Sequence, residues 1–524
     1  MTAHPSGTAP LPATGSQAER EAFSRLQLRM ADIHRRVFSD PLEPRTVLVV
    51  PSLSLPETEL TKIAGVLHYE ERMLCMLMLL RLPRTKVVYV TSQPVHPAIV
   101  DYYLHLLPGV PSRHAERRLT LLSCDDGAVR SLSAKILARP RLMDRIGAEL
   151  VAPGNSHMTC FSSTDAERSL AVRLGLPMYA CDPALAHLGS KSGSREIFRQ
   201  IGVDFPDGCE RLRDHSDVAE SLAELKRRNP GLRRAVVKLD EGFSGEGNAV
   251  FAFDGVEPGS DLTQRIRRRL PLGLVFEAES ENWESYMAKL GEMGGVVESF
   301  VEGEGKRSPS VQCRINPLGA VELVSSHDQM LGGRSLQTYL GCSFPADTAY
   351  QSAIHGAARR VAEELARRGV IGRLSVDFVS VRRGDGWDHA AIEINLRKGG
   401  TTLPFLMLQF LTDGSYDPAS GLYRTRSGQP RYYVASDNVQ SPSYRGLVPD
   451  DLVDIAVCIG VHFDAANHRG VVFHLLGALS EFGKLGMVAI AESPDEARTL
   501  FDETVAVLDR ETNGGAVSSD LVAP

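Results

Sequence analysis

The sequence predicts a multidomain protein of mixed class, an α/β domain followed by α+β subdomains, and three observations point there. The chain has 524 residues, beyond the size at which one hydrophobic core keeps growing, so two to four domains are expected. Its first 185 residues or so alternate short β-branched runs with helical patterns, the pattern of an α/β layer with a partly parallel sheet. After that point the strands come in pairs, punctuated by glycine and polar turns.

In chain order, residues 1–17 are rich in Pro, Gly, Ser, Thr and Ala and read as a disordered leader. Gln17–Phe38 has helical spacing. Thr46–Pro51 (TVLVVP) and Lys86–Thr91 (KVVYVT) are buried strands, with helical patterns at Glu57–Leu82 and Pro97–Leu107. Arg118–Ser123 is a third strand, Ser133–Ala138 starts a helix, and Thr159–Phe161 followed by a helix to Leu174 repeats the unit. Lys191–Ile201 is then helical. Arg234–Asp240 and Ala249–Phe253 form a hairpin around the glycine-rich Glu241–Asn248, a flexible tip able to fold over a ligand. Gly295–Val301 is a strand, Val311–Ile315 pairs with Ala320–Ser325, and Ala357–Arg368 is a helix. Leu374–Val381 and His389–Asn395 are paired strands. Beyond Pro404 the signals weaken, but Val471–Phe482 and Pro494–Leu508 read as helices, with a frayed tail at 511–524. The expected domains are a leader and first helix at 1–40, an α/β domain at 41–185, a lid subdomain at 186–300, a C-terminal subdomain at 301–510 and the tail.

Composition narrows the function classes. A 43% hydrophobic, 23% charged chain is ordinary globular protein. A net charge of -7 argues against a general binder of nucleic acid or anionic membrane. The eight cysteines include no CxxC pair, which excludes the common zinc spacings and a small disulfide framework. Reduced thiols in a cytoplasmic protein are expected. No run approaches 18 apolar residues, and the N-terminus lacks the order of a signal peptide. His462, His468 and His474 are spaced by six, which fits no helical ligand pair, and they read as surface or core histidines. His68–Arg72 reads as a charged helix face.

Three segments carry chemistry. In VVKLDEGFSGEGNAV, residues 236–250, Gly242, Gly245 and Gly247 with Ser244 make a loop whose backbone N–H groups can approach phosphate oxygens. Lys238 on the preceding strand reaches the same region. The spacing is neither a P-loop nor a dinucleotide fingerprint, and a bare glycine turn competes as a reading of this segment alone. Downstream, Glu393 and Asn395 sit two apart on a strand and share a face, where Asp377 of the preceding strand can meet them. Two carboxylates and an amide form the all-oxygen set that Mg²⁺ prefers beside ATP phosphates. Arg397 continues the alternation. Lys191 in GSKSGSR sits at a helix start, a position compatible with phosphate binding.

Taken together, in this order, these residues resemble an ATP-grasp enzyme, and the wording resembles the peptide ligases of natural-product biosynthesis, the pheganomycin type. HYEERML, GSKSGSREIF, VVKLDEGFSGEGNAV and IEINLRKGGTTLPFL carry the likeness, which spans roughly residues 45–505. It implies an ATP-grasp fold preceded by a Rossmann-like pre-ATP-grasp domain. It implies that Lys191 and Lys238 hold ATP phosphates under the 242–247 loop, and that Glu298 and Val301, with backbone groups at Ser299–Val301, meet adenine. It implies Asp377, Glu393 and Asn395 as Mg²⁺ ligands, Arg397 near the phosphoryl centre, and Arg373 as a helper at the acyl phosphate. Glu302 and Glu304 compete for the ribose, with Glu304 favoured. The implied activity is ATP- and Mg²⁺-dependent joining of a small carboxylic acid to the amine of an amino acid or peptide; base rates alone make a homodimer the expected assembly. A small-molecule kinase and a non-catalytic nucleotide-binding protein are the competing functions.

Overall fold

The computed structural model describes residues 12–242, 245, 247–256, 259–334 and 337–513, so the leader at 1–11, Ser244 and the tail from 514 lie outside the described residues. The chain divides into two compact units. One comprises Met1–Pro183 with Asn316–Leu318, the other Ala184–Ile315 with Gly319–Pro524.

The first unit is built on a parallel sheet of β1 (Arg45–Val50), β2 (Thr85–Thr91), β3 (Leu119–Ser123) and β4 (His157–Cys160), in the order β3-β2-β1-β4. Every residue of β1 is buried. That explains its unbroken apolar run, because a parallel strand is covered on both faces. The Gln17–Phe38 region forms two helices, Gln17–Gln27 and Arg29–Ser39, the first capped by the Ser16 hydroxyl accepting from Glu19 N.

The expected helix over 57–82 is different in the structure. A four-residue helix, Glu57–Leu60, ends before Gly65, whose φ of +70° breaks the path. Val66–Arg81 then winds as a 3₁₀-helix, unusually long for its type. Its threefold period explains the burial of Glu71, Leu74, Leu77 and Leu80 on one line.

The second unit holds two antiparallel sheets. Strands β5 (Gly208–Leu212), β6 (Arg234–Leu239), β7 (Asn248–Ala252), β8 (Leu274–Phe276) and β9 (Gly295–Ser299) lie in the order β5-β9-β6-β7-β8. The larger sheet begins with β10 (Pro309–Ile315), β11 (Val321–Gly332), β12 (Thr338–Phe344), β13 (Gly372–Arg383) and β14 (Gly386–Asn395). After a small hairpin, β15 (Ser415–Asp417) and β16 (Leu422–Arg424), it continues with β17 (Tyr432–Gln440), β18 (Gly470–His474) and β19 (Lys484–Ala491). Its order is β14-β13-β10-β11-β12-β17-β19-β18.

Here two sequence expectations are corrected. Residues 471–474 of the expected 471–482 helix belong to the fully buried strand β18, because GVVFH is β-branched and apolar and pairs with β19; only Leu479–Phe482 is α-helical. The His474 ring lies on Gly486 of β19, where a Cβ would stand 2.0 Å from it. The terminal helix also runs on from Pro494 to Asn513, past the expected start of the tail. Among the described residues no helix is long and apolar enough to cross a membrane.

Candidate active site

Helix Lys191–Ile201 starts with Ser190 as N-cap, its hydroxyl accepting from Gly193 N at 3.0 Å. Gly193 is required, since a Cβ there would lie 2.1 Å from His187 O. The helix start docks on the end of β6, with Lys191 N donating to Asp240 O (3.1 Å) and Ser192 N to Asp240 Oδ1 (2.8 Å). From there Lys191 Nζ donates to Gly242 O (3.0 Å) and to Glu393 Oε1 (2.8 Å). The glycine-rich turn and strand β14 are thus joined by one ammonium.

Lys238 projects from β6 and pairs with Glu298 Oε2 of β9 at 2.5 Å. The expected hairpin is β6–β7, with Lys238 opposite Asn248. At its tip Gly242 and Gly247 press together. A Cβ on Gly247 would lie 2.8 Å from the Gly242 Cα. Gly245 has φ +81°, and a Cβ there would stand 2.5 Å from Gln337 O. Asn248 Nδ2 donates to Gln337 Oε1 at 2.8 Å, tying the hairpin to the segment before β12.

On the larger sheet Asp377 is directly opposite Glu393. Asp377 Oδ1 accepts from the Ser310 hydroxyl (2.6 Å) and Oδ2 from Asn395 Nδ2 (3.0 Å). Burial and the like charge of Glu393 push the Asp377 carboxyl up to about 6. Two carboxylates opposed across a strand pair repel, and a divalent cation between them relieves that repulsion. The donors fit Mg²⁺: carboxylate oxygens from Asp377 and Glu393, and the amide oxygen of Asn395, whose nitrogen is already given to Asp377. Among the described residues no group of three His, Cys, Asp or Glu gathers as a metal site. Arg397 lies near enough to oppose the rise at Asp377 and donates to Lys398 O at 3.2 Å.

Other expected residues are placed differently. Glu298 is 2% exposed, and its carboxylate lies between Lys238 and Arg195 Nη1 (2.9 Å). Burial works to raise its pKa, but the charges of Lys238 and Arg195 outweigh it and hold it below the ordinary carboxylate range. The Ser299 N–H is donated to Asp207 O at 2.8 Å, which removes that donor from adenine reading. Val301 follows β9, half-buried. Glu302 forms a two-point pair with Arg234 (2.9 Å each), whereas Glu304 is exposed at a turn. Arg373 stands opposite Arg314 on β13, four residues and roughly 13 Å along the strand from Asp377, so it is not brought into the cluster.

Three residues had no part in the sequence reading of the site. Arg195 follows Lys191 by one helical turn in KSGSREIF, a charge on the face that also carries Phe198. Ser310 and Gln312 are polar at alternate positions of a buried strand, and that alternation was the available signal.

A family model described as "IQCH-like, ATP-grasp" matches residues 183–271 and 272–418, and one for the PGM1 C-terminal domain matches 451–504. The chain is 32% identical over 480 residues to the L-propargylglycine–L-glutamate ligase of Streptantibioticus cattleyicolor, covering 90% of this chain and 95% of that protein. It is 21% identical over 516 residues to IQ motif-containing protein H of Danio rerio, covering 89% of this chain and 48% of that longer protein. In fold it is similar to biotin carboxylase from Campylobacter jejuni, solved with an ATP analogue (TM-score 0.53, 14% identity, 90% and 96% coverage). It is similar too to the biotin carboxylase domain of the Hydrogenobacter thermophilus 2-oxoglutarate carboxylase, solved with MgADP and bicarbonate (TM-score 0.52, 13% identity, 90% and 94% coverage).

Proposed function

Because the chain belongs to the ATP-grasp ligases, we propose that it joins a small amino-acid-like carboxylic acid to the amine of an amino acid or peptide, converting ATP to ADP and phosphate. The observation that carries this reading is Lys191. Its ammonium bridges Gly242 O and Glu393 Oε1, so the glycine-rich turn and the acidic strands meet in one place.

A carboxylate resists attack by an amine because it is already negative and its leaving group would be oxide. In the proposed reaction a carboxylate oxygen attacks the γ-phosphorus, ADP leaves, and the amine then displaces phosphate from the acyl carbon as it loses a proton. The work left to the protein is positioning and charge neutralisation. Lys191 and Lys238 bind phosphate oxygens, and Arg397 steadies the charge developing at the phosphoryl group. Gly242, Gly245 and Gly247 belong to the segment assigned here as the lid, whose role would be to exclude the water that hydrolyses an acyl phosphate. Asp377, Glu393 and Asn395 would hold Mg²⁺, which supplies Lewis-acid neutralisation of the phosphates. Glu304 is the ribose candidate, since Glu302 is committed to Arg234. On this reading residues 186–300 form the lid subdomain and 301–510 the subdomain with the metal ligands. Reduced cysteines, all eight of them free, and the need for ATP support a cytoplasmic setting, and secondary metabolism is the expected context.

The test is incubation with ATP, Mg²⁺ and a panel of amino-acid-like acids and amines, reading product mass for the loss of water on coupling. ADP release that depends on both substrates supports ligation, whereas a phosphorylated product without amine would make the protein a kinase. Lys238→Ala and Glu393→Ala should each lower ADP release by about a hundredfold or more. Near-normal turnover in either would remove that residue from the site.

A further inference from the structure

Arg195 is 1% exposed, and the chemistry above makes no use of it. Burying a guanidinium is costly unless it is fully paired. Its Nη1 donates to Glu298 Oε1 (2.9 Å) and to Pro206 O (2.8 Å), and its Nε to Glu210 Oε2 (3.2 Å), with the group 4.8 Å over the Phe205 ring. Gly208 makes the room. A Cβ there would stand 2.1 Å from Val297 O and 3.0 Å from Arg195 Nη2. The other oxygen of Glu298 takes Lys238 Nζ at 2.5 Å. One buried carboxylate is therefore shared by two cations, and one of those is the lysine assigned to ATP phosphates.

We propose that Arg195 is a positioning residue for nucleotide binding: it anchors Glu298 and shares its charge, so that Glu298 aims Lys238 without neutralising it. The proposal rests on the nucleotide reading above. With Arg195 in place, Lys238, Glu298, Arg195, Glu210 and the Arg199 that also pairs with Glu210 sum to one net positive charge, and in a buried setting that charge acts strongly on an incoming phosphate. Without it, Glu298 and Lys238 close into a neutral pair that offers a phosphate much less. The directions to Glu298, Glu210 and Pro206 O need a planar fork, which lysine cannot reproduce.

The test compares ADP binding with Mg²⁺ by calorimetry, and steady-state ADP formation, in the full-length wild type, R195M, R195K, K238M and R195M/K238M. R195M is the informative change because it leaves Glu298 paired with Lys238 and Glu210 paired with Arg199. It should weaken ADP binding by about tenfold, equivalent to about 1.4 kcal/mol, and raise KM for ATP while changing kcat much less. R195K should recover part of the affinity. In the K238M background R195M should add almost nothing, because its effect passes through Lys238. Wild-type ADP affinity in R195M, or an equal loss with and without Lys238, would overturn the proposal. Should R195M fail to fold by circular dichroism, wild-type ADP affinity in R195K overturns it instead. A wild type that binds no ADP would sink the nucleotide reading itself, an outcome distinct from all of these.

Discussion

Asp377 holds each of its oxygens in a hydrogen bond, one from Ser310 and one from Asn395. Such outer partners fix the lone pairs that a metal meets. Ser310→Ala should therefore raise the Mg²⁺ concentration for half-maximal ADP release by about 10- to 100-fold, with the circular dichroism spectrum unchanged; an unaltered Mg²⁺ dependence would show that Ser310 does not set the ligand. Glu70 offers a prediction on stability. It accepts from Ser92 N (2.5 Å) and Ser92 Oγ (2.6 Å), and burial pushes its carboxyl from 4.5 up to about 7. The folded chain thus keeps a proton that the unfolded chain loses near 4.5. Its contribution is fully present below that pH and is lost as pH rises through about 7. Denaturant midpoints across this window should fall less steeply in Glu70→Gln than in wild type, and parallel curves would contradict the assignment.

At the scale of elements, the β6–β7 hairpin is legible from sequence because its signals agree: alternating apolar residues, then glycines. The reason for Gly242 and Gly247 is not legible, since it lies in a backbone contact between them. Gly247→Ala meets that unyielding contact at 2.8 Å. It should cost about 1–3 kcal/mol locally and lower ADP release far more than it lowers the melting temperature; wild-type kinetics would show the tip has room to spare. The Asp377–Glu393–Asn395 cluster was readable because strand alternation alone puts the last two on one face. Strand β18 was misread for the opposite reason, as GVVFHLLGALSEF satisfies helical and strand periods together and only pairing with β19 decides. The ion-pair partner of Glu298 was not legible, because position within a motif says nothing of Arg195, which approaches from a helix a hundred residues earlier. The 3₁₀ turn at Val66–Arg81 was hidden because a threefold apolar period is hard to tell from 3.6 over so short a run.

For the whole molecule, the candidate site draws on segments far apart in the chain. Adding ADP and Mg²⁺ should slow amide exchange in helix Lys191–Ile201, in β6–β7 and in β13–β14 together, because binding stabilises only the folded arrangement of all three. Protection confined to one of them, measured by hydrogen-exchange mass spectrometry, would break the site apart.

The bond from Lys191 to Glu393 also bears on how the protein is made. It joins residues 202 positions apart, so a chain emerging from the ribosome carries Lys191 and Lys238 long before the carboxylates of β13 and β14. Loop closure of that length costs only logarithmically more than a short one, so the delay comes from synthesis and not from the search. Nascent chains halted before β13 should fold their first sheet and yet release no ADP, and activity would then report the completion of translation.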